Sequence, residues 1–233
     1  MCHYVPYDAR SFGAIDPGAK PGQRSPMGAR VDSKKQEPEK PRVDGRRERS
    51  RSSRARIVAA MLDLIDRGDL TPSAARVAEE AGVGLRTVFR QFDDMDTLYR
   101  EMSETIAKRV LPIANAPYAG TDWRDDVRDL VGRRIRVFET MLPFRLAANI
   151  KRYQSPFLMG QYGQVVALER DYALRLLPDA VRRDKLSVEG LCAALSFQTW
   201  RALRHDQGLT AEEAGQVTAH MVETLMAAVS DGA

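Results

Sequence analysis

The residues best suited to chemistry on a partner are four polar side chains in the segment LRTVFRQF, residues 85–92. In chain order they are Arg86, Thr87, Arg90 and Gln91. Side chains of these types contact phosphate oxygens and the base edges of a major groove. Val88 and Phe92 recur at helical spacing, so a helix would turn the polar set away from its buried face. The same pattern also fits an ordinary helical hairpin with a solvated polar face.

Two short apolar stripes on either side of a glycine-containing turn would hold this polar face in place. The first stripe precedes the turn at residues 82–84, and its members are Ala74, Val77, Ala78 and Ala81. Each helix spans about two turns and is too short to be stable alone, so both need a shared core. Ser73 stands where it can cap the first of them. Two short helices across such a turn are typical of a helix-turn-helix.

Residues 1–50 differ in composition from the rest of the chain. Six of the twelve prolines lie in residues 1–41, without a sustained apolar period. Such a segment cannot bury enough apolar surface to offset the entropy of ordering it, so we predict a disordered extension. Its end is basic, with six arginines against one glutamate in residues 46–56. This run is either a solubilising segment or a DNA arm. The candidate arm residues are Arg46, Arg47, Arg49 and Arg51.

Helices are predicted on both sides of the motif. Residues 53–67 carry an apolar stripe that a serine at 52 or 53 would cap and Gly68 would end. After the motif, an aspartate at 93 or 94 would cap a helix that ends before Pro112, because the residue before a proline disfavours helix.

Residues 53–102 resemble the DNA-binding domain of TetR-type (tetracycline-repressor-like) transcriptional regulators. The matching segments are the first helix with its Arg67-Gly68 end, then VAEEAGV, RTVFRQF and the DDMDTLY entry into the next helix. The resemblance implies that the second motif helix enters the major groove and that the fourth helix couples it to a larger ligand domain. On this resemblance the DNA-facing residues are Ser73, Gly84, Leu85, Arg86, Thr87, Phe89, Arg90 and Gln91.

A few positions depart from the pattern of that family. Phe89 stands where tyrosine is usual and Met95 where lysine is common, so two phosphate contacts are lost. Arg86 stands where a small residue is frequent and adds one cation. Leu85 is ambiguous, since its spacing joins it to the apolar face whereas the family geometry turns it to DNA. We follow the family geometry here.

The remainder of the chain is predicted to form helices separated by short breaks, so the fold class is all-α. The predicted spans are residues 123–141, 145–153, 155–177, 187–207 and 210–228. Pro143 is expected to break the pattern after the first of these. Ser155 followed by Pro156 is a cap with proline at the first helical position, and Thr210 with Glu213 forms a capping box. The predicted domains are a disordered extension (1–50), a three-helix helix-turn-helix domain (51–100) and a larger helical domain (101–233).

The larger domain contains apolar residues that would either enclose an effector or form packed core. The candidate pocket residues are Phe138, Met141, Phe144, Phe157, Met159 and Tyr162. In the family that the chain resembles, the last two long helices of each subunit form a four-helix dimer interface. The candidate interface residues are Leu191, Leu195, Met221 and Leu225.

Signals for catalysis are missing from the sequence. There is no phosphate-cradling glycine motif, no nucleophile elbow and no metalloprotease histidine pair. Cys2 and Cys192 are too far apart for a metal or redox motif, which is typical of a reducing cytoplasm. The aspartates in residues 122–129 alternate with arginines and favour local ion pairs over a metal site. No apolar run is long enough to span a membrane. We therefore predict a cytoplasmic protein that is not an enzyme and needs no cofactor or metal.

Three functions remain open. The first is a ligand-responsive regulator, in the manner of a repressor, that binds a palindromic operator on double-stranded DNA as a homodimer. A small apolar effector of unknown identity would release it. The second is a constitutive or architectural DNA-binding protein whose helical domain senses nothing. The third is a helical interaction protein that has lost DNA binding, which the departures at Phe89 and Met95 keep open.

Overall fold

The computed structural model describes residues 45–229, and these residues fold into α-helices without a β-strand. The helices are α1 (Gly45–Asp66), α2 (Ala74–Glu80), α3 (Leu85–Gln91), α4 (Met95–Ala114), α5 (Trp123–Lys151), α6 (Pro156–Leu176), α7 (Asp179–Arg183), α8 (Lys185–Ala194), α9 (Phe197–Arg201) and α10 (Ala211–Ala228). A 3-10 turn (Arg152–Gln154) joins α5 to α6, and a π-helical turn (Ala202–Asp206) follows α9. The predicted all-α fold class is confirmed. Disorder was predicted for residues 1–50; residues 1–44 lie outside the described residues, and residues 45–50 are helical, as part of α1.

The first four helices share an apolar core with α5 and α6. Ile57 of α1 and Met102 of α4 are fully buried at its centre. Phe144 of α5 packs beside Tyr99 of α4, with ring centroids 6.3 Å apart, and Leu158 of α6 joins the same cluster. The short helices α2 and α3 therefore get their stability from a core to which the longer helices contribute.

A second core lies between α5, α6, α7, α8 and α10, and a smaller third one forms around Phe138, Phe197 and Trp200. Two glycines bring α10 close to its neighbours in this region. A Cβ added at Gly215 would lie 3.0 Å from Ile135 of α5, and one at Gly190 of α8 would lie 3.1 Å from Leu225 of α10. Small residues at these crossings let α10 pack tightly against both α5 and α8.

Two proline positions contradict the predicted helix ends. The helix predicted to stop before Pro112 continues to Ala114, and α5 runs through Pro143 to Lys151, which includes the predicted separate helix over residues 145–153. An interior proline removes one backbone hydrogen bond and costs about 3 kcal/mol. In α5 this cost is offset because Phe138 and Phe144, on either side of Pro143, are both buried in core.

Other corrections concern where helices begin and break. Helix α1 begins at Gly45, so the serines at 52 and 53 lie inside it; arginine is a good helix former, and the basic run continues the helix. The helix predicted over residues 187–207 is broken into α8 and α9. The side chain of Ser196 accepts a hydrogen bond from the backbone N–H of Thr199 and starts a new helix there. Helix α7 was not predicted.

Most predicted capping residues are confirmed. The side chains of Ser73, Asp94, Asp122 and Ser155 each accept a backbone hydrogen bond at a helix start. Thr210 and Glu213 form the reciprocal capping box of α10. Hydrogen bonds from Thr97 hold the pKa of the Asp94 carboxyl below its usual range, so this cap is ionised at neutral pH.

Candidate nucleic-acid interface

The turn between α2 and α3 is closed by glycine in the left-handed region. Gly82 has φ +60°, the Val83 N–H donates to the Ala78 carbonyl at 3.0 Å, and the Gly82 N–H donates to the Glu79 carbonyl at 3.0 Å. These two bonds form a Schellman motif, which satisfies carbonyls at the end of α2 and reverses the chain. Gly84 follows in an extended conformation and is the N-cap residue of α3. The predicted helix-turn-helix geometry is present.

Helix α3 has one buried side and one exposed side. Val88 is buried, and Phe92, just past the end of the helix, is buried in the same core. On the other side Leu85 is 44% exposed and Phe89 is 61% exposed. Arg86 and Arg90 are exposed too. The ambiguity at Leu85 is thus resolved, since its side chain does not join the apolar face.

The two arginines of α3 have no side-chain partner in the part of the chain that the structure describes. Within residues 47–229, neither Arg86 nor Arg90 forms an ion pair or a hydrogen bond through its side chain. The arginines of the neighbouring elements differ, because Arg67 pairs with Glu80 at 2.7 Å and Arg76 approaches Asp69 at 3.6 Å. Both guanidinium groups of α3 are therefore available to an outside ligand.

The other residues of the motif that were predicted to contact DNA differ in their exposure. Gly84 is exposed, while Thr87 and Gln91 are half-buried. Ser73 is exposed, but its hydroxyl caps α2 by accepting from the Arg76 N–H at 3.3 Å. The Gln91 side chain donates from Nε2 to the Ser50 hydroxyl of α1 at 3.0 Å. Gln91 is thus held by α1, whereas the exposed face of α3 consists of Leu85, Arg86, Phe89 and Arg90.

An arginine of α1 holds the end of α3 in place, and the sequence analysis did not find it. Arg54 donates from Nη1 to the Gln91 carbonyl and from Nε to Glu101 of α4. Its guanidinium also lies over the Phe92 ring, 4.3 Å from the centroid. In the sequence Arg54 was one of six arginines in a basic run. Its distinguishing signal is its place three residues, about one helical turn, before Ile57, which puts it on the same side of α1 as the apolar stripe.

The candidate arm residues belong to a helix. Arg46, Arg47, Arg49 and Arg51 all lie in α1, so the run is not an extended strand of chain. Arg47, Arg49 and Arg51 are exposed. Contact between these residues and DNA stays a prediction, now from the N-terminal turns of a helix.

The six candidate pocket residues do not line one cavity. Phe144, Met141 and Phe157 pack in the first core, Phe138 lies in the third core, and Met159 is 40% exposed. Phe138 lines a small cavity between α5, α8, α9 and α10, together with Arg134, Leu195 and Trp200. This cavity has room for about one water molecule. The predicted apolar pocket is therefore packed core in this conformation.

The candidate dimer residues fall into two groups. Leu191 and Leu195 are 1% and 2% exposed and belong to the second core of a single chain, so they are not available to a partner. Both side chains therefore pack within their own chain, and the dimer interface itself stays a prediction. Met221 and Leu225 of α10 are half-buried. Their role at an interface stays a prediction.

The aspartates at the start of α5 serve the helix. Asp122 caps it, Asp125 accepts from the Thr121 hydroxyl at 2.6 Å and pairs with Arg128 at 2.9 Å, and Asp129 pairs with Arg133 at 2.5 Å. The predicted local ion pairs are confirmed. No helix in the described part of the chain has both the length and the apolar character needed to cross a membrane.

The class that fold and site define is an all-helical protein with an exposed helix-turn-helix. No family model matches the sequence, and no curated protein matches it. Among solved structures, the chain is similar to a transcriptional regulator from Rhodococcus sp. Rha1, with a TM-score of 0.58 and 17% sequence identity. The match covers 75% of this chain and 96% of that chain. At this identity the likeness shows that the two proteins share a fold.

Proposed function

We propose that this protein is a TetR-type transcriptional regulator that binds double-stranded DNA through α3. One observation carries the proposal: α3 exposes two arginines and two apolar side chains, while Val88 and Phe92 hold its other side in the core. The fold that the chain shares with a transcriptional regulator supports the same function.

The exposed side chains of α3 have the chemistry to recognise DNA. Arg86 and Arg90 lie one turn apart, so both guanidinium groups point to the same region. Arginine binds guanine O6 and N7 through two hydrogen bonds, or a phosphate as an ion pair. Phe89 and Leu85 lie beside them and can contact thymine methyl groups. The apolar ring at Phe89 would thus replace a phosphate contact by a base contact.

Binding to a palindromic operator requires two copies of α3 at a fixed separation. We propose that the protein is a homodimer and that α10 provides the contact. Val217, Met221 and Leu225 recur one turn apart along this helix, and Val217 is 36% exposed. Met221 and Leu225 pack at the edge of the second core, between α8 and α10. A partner subunit that covered them would add its own apolar side chains to that core.

The regulator would act as a repressor that a small molecule releases from its operator. A ligand can do so only if it binds the form that does not bind DNA more tightly. A constitutive regulator without an effector is the second candidate. It is favoured by the dispersal of the candidate pocket residues among separate cores.

The experiment that tests DNA binding starts from a random duplex library and full-length protein. We expect a palindromic sequence to be enriched. On that sequence, Arg86→Ala and Arg90→Ala should each lose about 1–3 kcal/mol per half-site, which is roughly fivefold to more than a hundredfold in affinity. Arg175→Ala is the matched control, since this arginine is 70% exposed on α6 and far along the chain from the motif.

The measurement is fluorescence anisotropy with labelled duplex, and circular dichroism checks that each variant is folded. If no sequence is enriched, or if both α3 variants bind as well as the control, α3 does not recognise DNA. A salt series separates the two kinds of contact. A phosphate-binding arginine lowers the slope of log K against log salt, whereas a base-binding arginine relaxes the preference at one position.

A further inference from the structure

Two buried guanidinium N–H groups near the junction of α5 and α6 have no acceptor in the part of the chain that the structure describes. They are Nη2 of Arg145 and Nε of Arg152. A buried donor that loses its water without gaining a partner destabilises the protein, and a charged donor does so most. Unpartnered donors of this kind are rare in folded proteins and call for an explanation, such as a ligand or ion.

Both guanidinium groups are held in fixed orientations by their other contacts. Arg145 is 6% exposed, pairs through Nη1 with Glu169 of α6 and stacks on Phe197, 3.7 Å from the ring centroid. Arg152 donates to the Asn149 side chain at 3.2 Å and stacks on Tyr162 at 4.0 Å. The two free N–H groups are therefore positioned by the fold.

These groups face one neighbourhood. Burial lowers the pKa of Arg145, the charge of Arg152 lowers it further, and Glu169 and Tyr162 act in the opposite direction. Arg152 stacks on the Tyr162 ring, and the residue that donates to the Tyr162 hydroxyl, Gln198, directly follows Phe197, on which Arg145 stacks. The Tyr162 hydroxyl accepts from Gln198 at 3.0 Å, which leaves its own hydrogen to donate. These contacts bring the two arginines and Tyr162 into one cluster.

The charges of this cluster do not cancel. Arg145 and Arg152 carry two positive charges against the single carboxylate of Glu169. Glu169 is already engaged, since its other oxygen accepts from the Phe197 N–H at 3.3 Å. The cluster therefore keeps a net positive charge, which favours an anionic ligand. Arg134 adds to the field, because it also lies close to Glu169.

The cluster borders the surface. Arg152, Tyr162 and Gln198 are half-buried, while Tyr153 and Met159 are 73% and 40% exposed. Met159 lies one turn before Tyr162 on α6, so an apolar side chain stands beside the donors. A ligand that places an anionic group on the arginines would lay an apolar body against this rim.

We propose that Arg145, Arg152 and Tyr162 form a binding site for an organic carboxylate. The carboxylate oxygens would accept hydrogen bonds from Arg145 Nη2, Arg152 Nε and the Tyr162 hydroxyl. An organic carboxylate is preferred to inorganic phosphate because its apolar body can lie against the exposed Met159 side chain, whereas phosphate has no apolar part. This site would be the effector site of the proposed regulator, and that role rests on the proposed function. It changes the expected effector from an apolar molecule to an acid with an apolar body.

The first experiment measures ligand binding in the absence of DNA, so it does not depend on the proposed function. Full-length protein is unfolded by heat in sodium benzoate, sodium octanoate or sodium phosphate at constant ionic strength. Benzamide and octanamide are the neutral counterparts. A ligand that binds only the folded protein stabilises it by RT ln(1 + [L]/Kd), so the melting temperature rises with ligand concentration. We expect at least one carboxylate to stabilise the protein at concentrations about tenfold or more below its amide.

Variants test which residues are responsible. Arg152→Gln should weaken carboxylate binding about tenfold or more, because it removes a charged donor. Arg152→Lys keeps the charge but not the directed Nε–H and should also weaken binding. Arg175→Gln, on an exposed arginine of α6, should bind as wild type does. Arg152 is used because Arg145→Gln would leave Glu169 buried without its partner and endanger folding.

The proposal is overturned if no carboxylate stabilises wild type more than its amide, or if Arg152→Gln responds as wild type does. Full affinity in Arg152→Lys would mean that charge alone attracts the acid, which also overturns it. If phosphate stabilises the protein and no carboxylate does, the site binds an inorganic anion and the carboxylate proposal is wrong. A second experiment adds the stabilising acid to the DNA complex. Binding of the acid without release of DNA would leave the site intact and refute its regulatory role.

Discussion

Replacing Arg54 by methionine should destabilise the protein and weaken DNA binding, although Arg54 does not face the proposed DNA-binding surface. Its guanidinium bonds the Gln91 carbonyl at the end of α3, pairs with Glu101 of α4 and lies over Phe92. Methionine keeps most of the apolar stem and removes these three contacts. The substitution therefore tests whether one side chain fixes α3 against α1 and α4.

The size of the effect follows from the three contacts. A hydrogen bond with a charged donor contributes about 1.5–3 kcal/mol. The ion pair adds about 0–1 kcal/mol, because the two side chains are 32% and 29% exposed and solvent screens them. Stacking on Phe92 adds about 0.5–1 kcal/mol. Since the contacts share one group and are not additive, we expect a loss of about 2–4 kcal/mol in the free energy of unfolding.

Urea unfolding followed by circular dichroism measures this loss. With a slope of about 3 kcal/mol per molar urea, the midpoint should fall by about 1 M. Arg56→Met, on an exposed arginine of the same helix, should change stability by no more than about 0.5 kcal/mol. Under conditions where Arg54→Met remains folded, its affinity for DNA should fall while the salt slope stays the same. The structural role would be refuted if the urea midpoint were unchanged and the slope of log K against log salt were smaller by about 0.9. That result would mean that Arg54 binds a phosphate.

Two further predictions concern the turn and the dimer. Gly82→Ala should lower the free energy of unfolding by about 1–2 kcal/mol, because φ at Gly82 is left-handed. Gly132→Ala should raise it by about 0.5–1 kcal/mol, because Gly132 lies in the exposed middle of α5, where alanine favours the helix. If urea unfolding showed a change of the same sign for both variants, this reasoning would be contradicted. Val217→Glu combined with Met221→Lys should give folded monomers in sedimentation that no longer bind the palindromic site. A wild-type monomer at micromolar concentration that binds one half-site specifically would exclude the dimer.

The sequence predicted those features of the fold that depend on local chemistry. Ser73, Asp94 and Ser155 were identifiable as caps because their side chains bond to backbone a few residues away. Gly82 was identifiable as a turn residue because glycine adopts the left-handed conformation without steric cost. These signals are short in range, and tertiary contacts do not override them here.

Features that depend on distant packing were not predictable in this way. Pro143 looks like a helix end, yet α5 passes through it because residues on both sides are buried by helices far away in sequence. Leu191 and Leu195 fit a helical stripe equally well whether it faces a partner or the core. Arg145 lies in a segment predicted as a separate short helix. Only the position of Glu169 and Phe197 across the core explains how an arginine can be buried there.

Helix α4 connects the proposed DNA-binding face to the proposed acid site by direct contacts. At one side Glu101 holds Arg54, and through it the end of α3. At the other side Asp96 accepts a hydrogen bond from Ser155 at 2.7 Å, and Ser155 follows directly after the turn that contains Arg152. An acid that draws Arg152 towards Arg145 would pull on this turn and hence on the first turn of α4. Because coupling between two binding sites is reciprocal, DNA should then weaken acid binding by the same factor by which the acid weakens DNA binding.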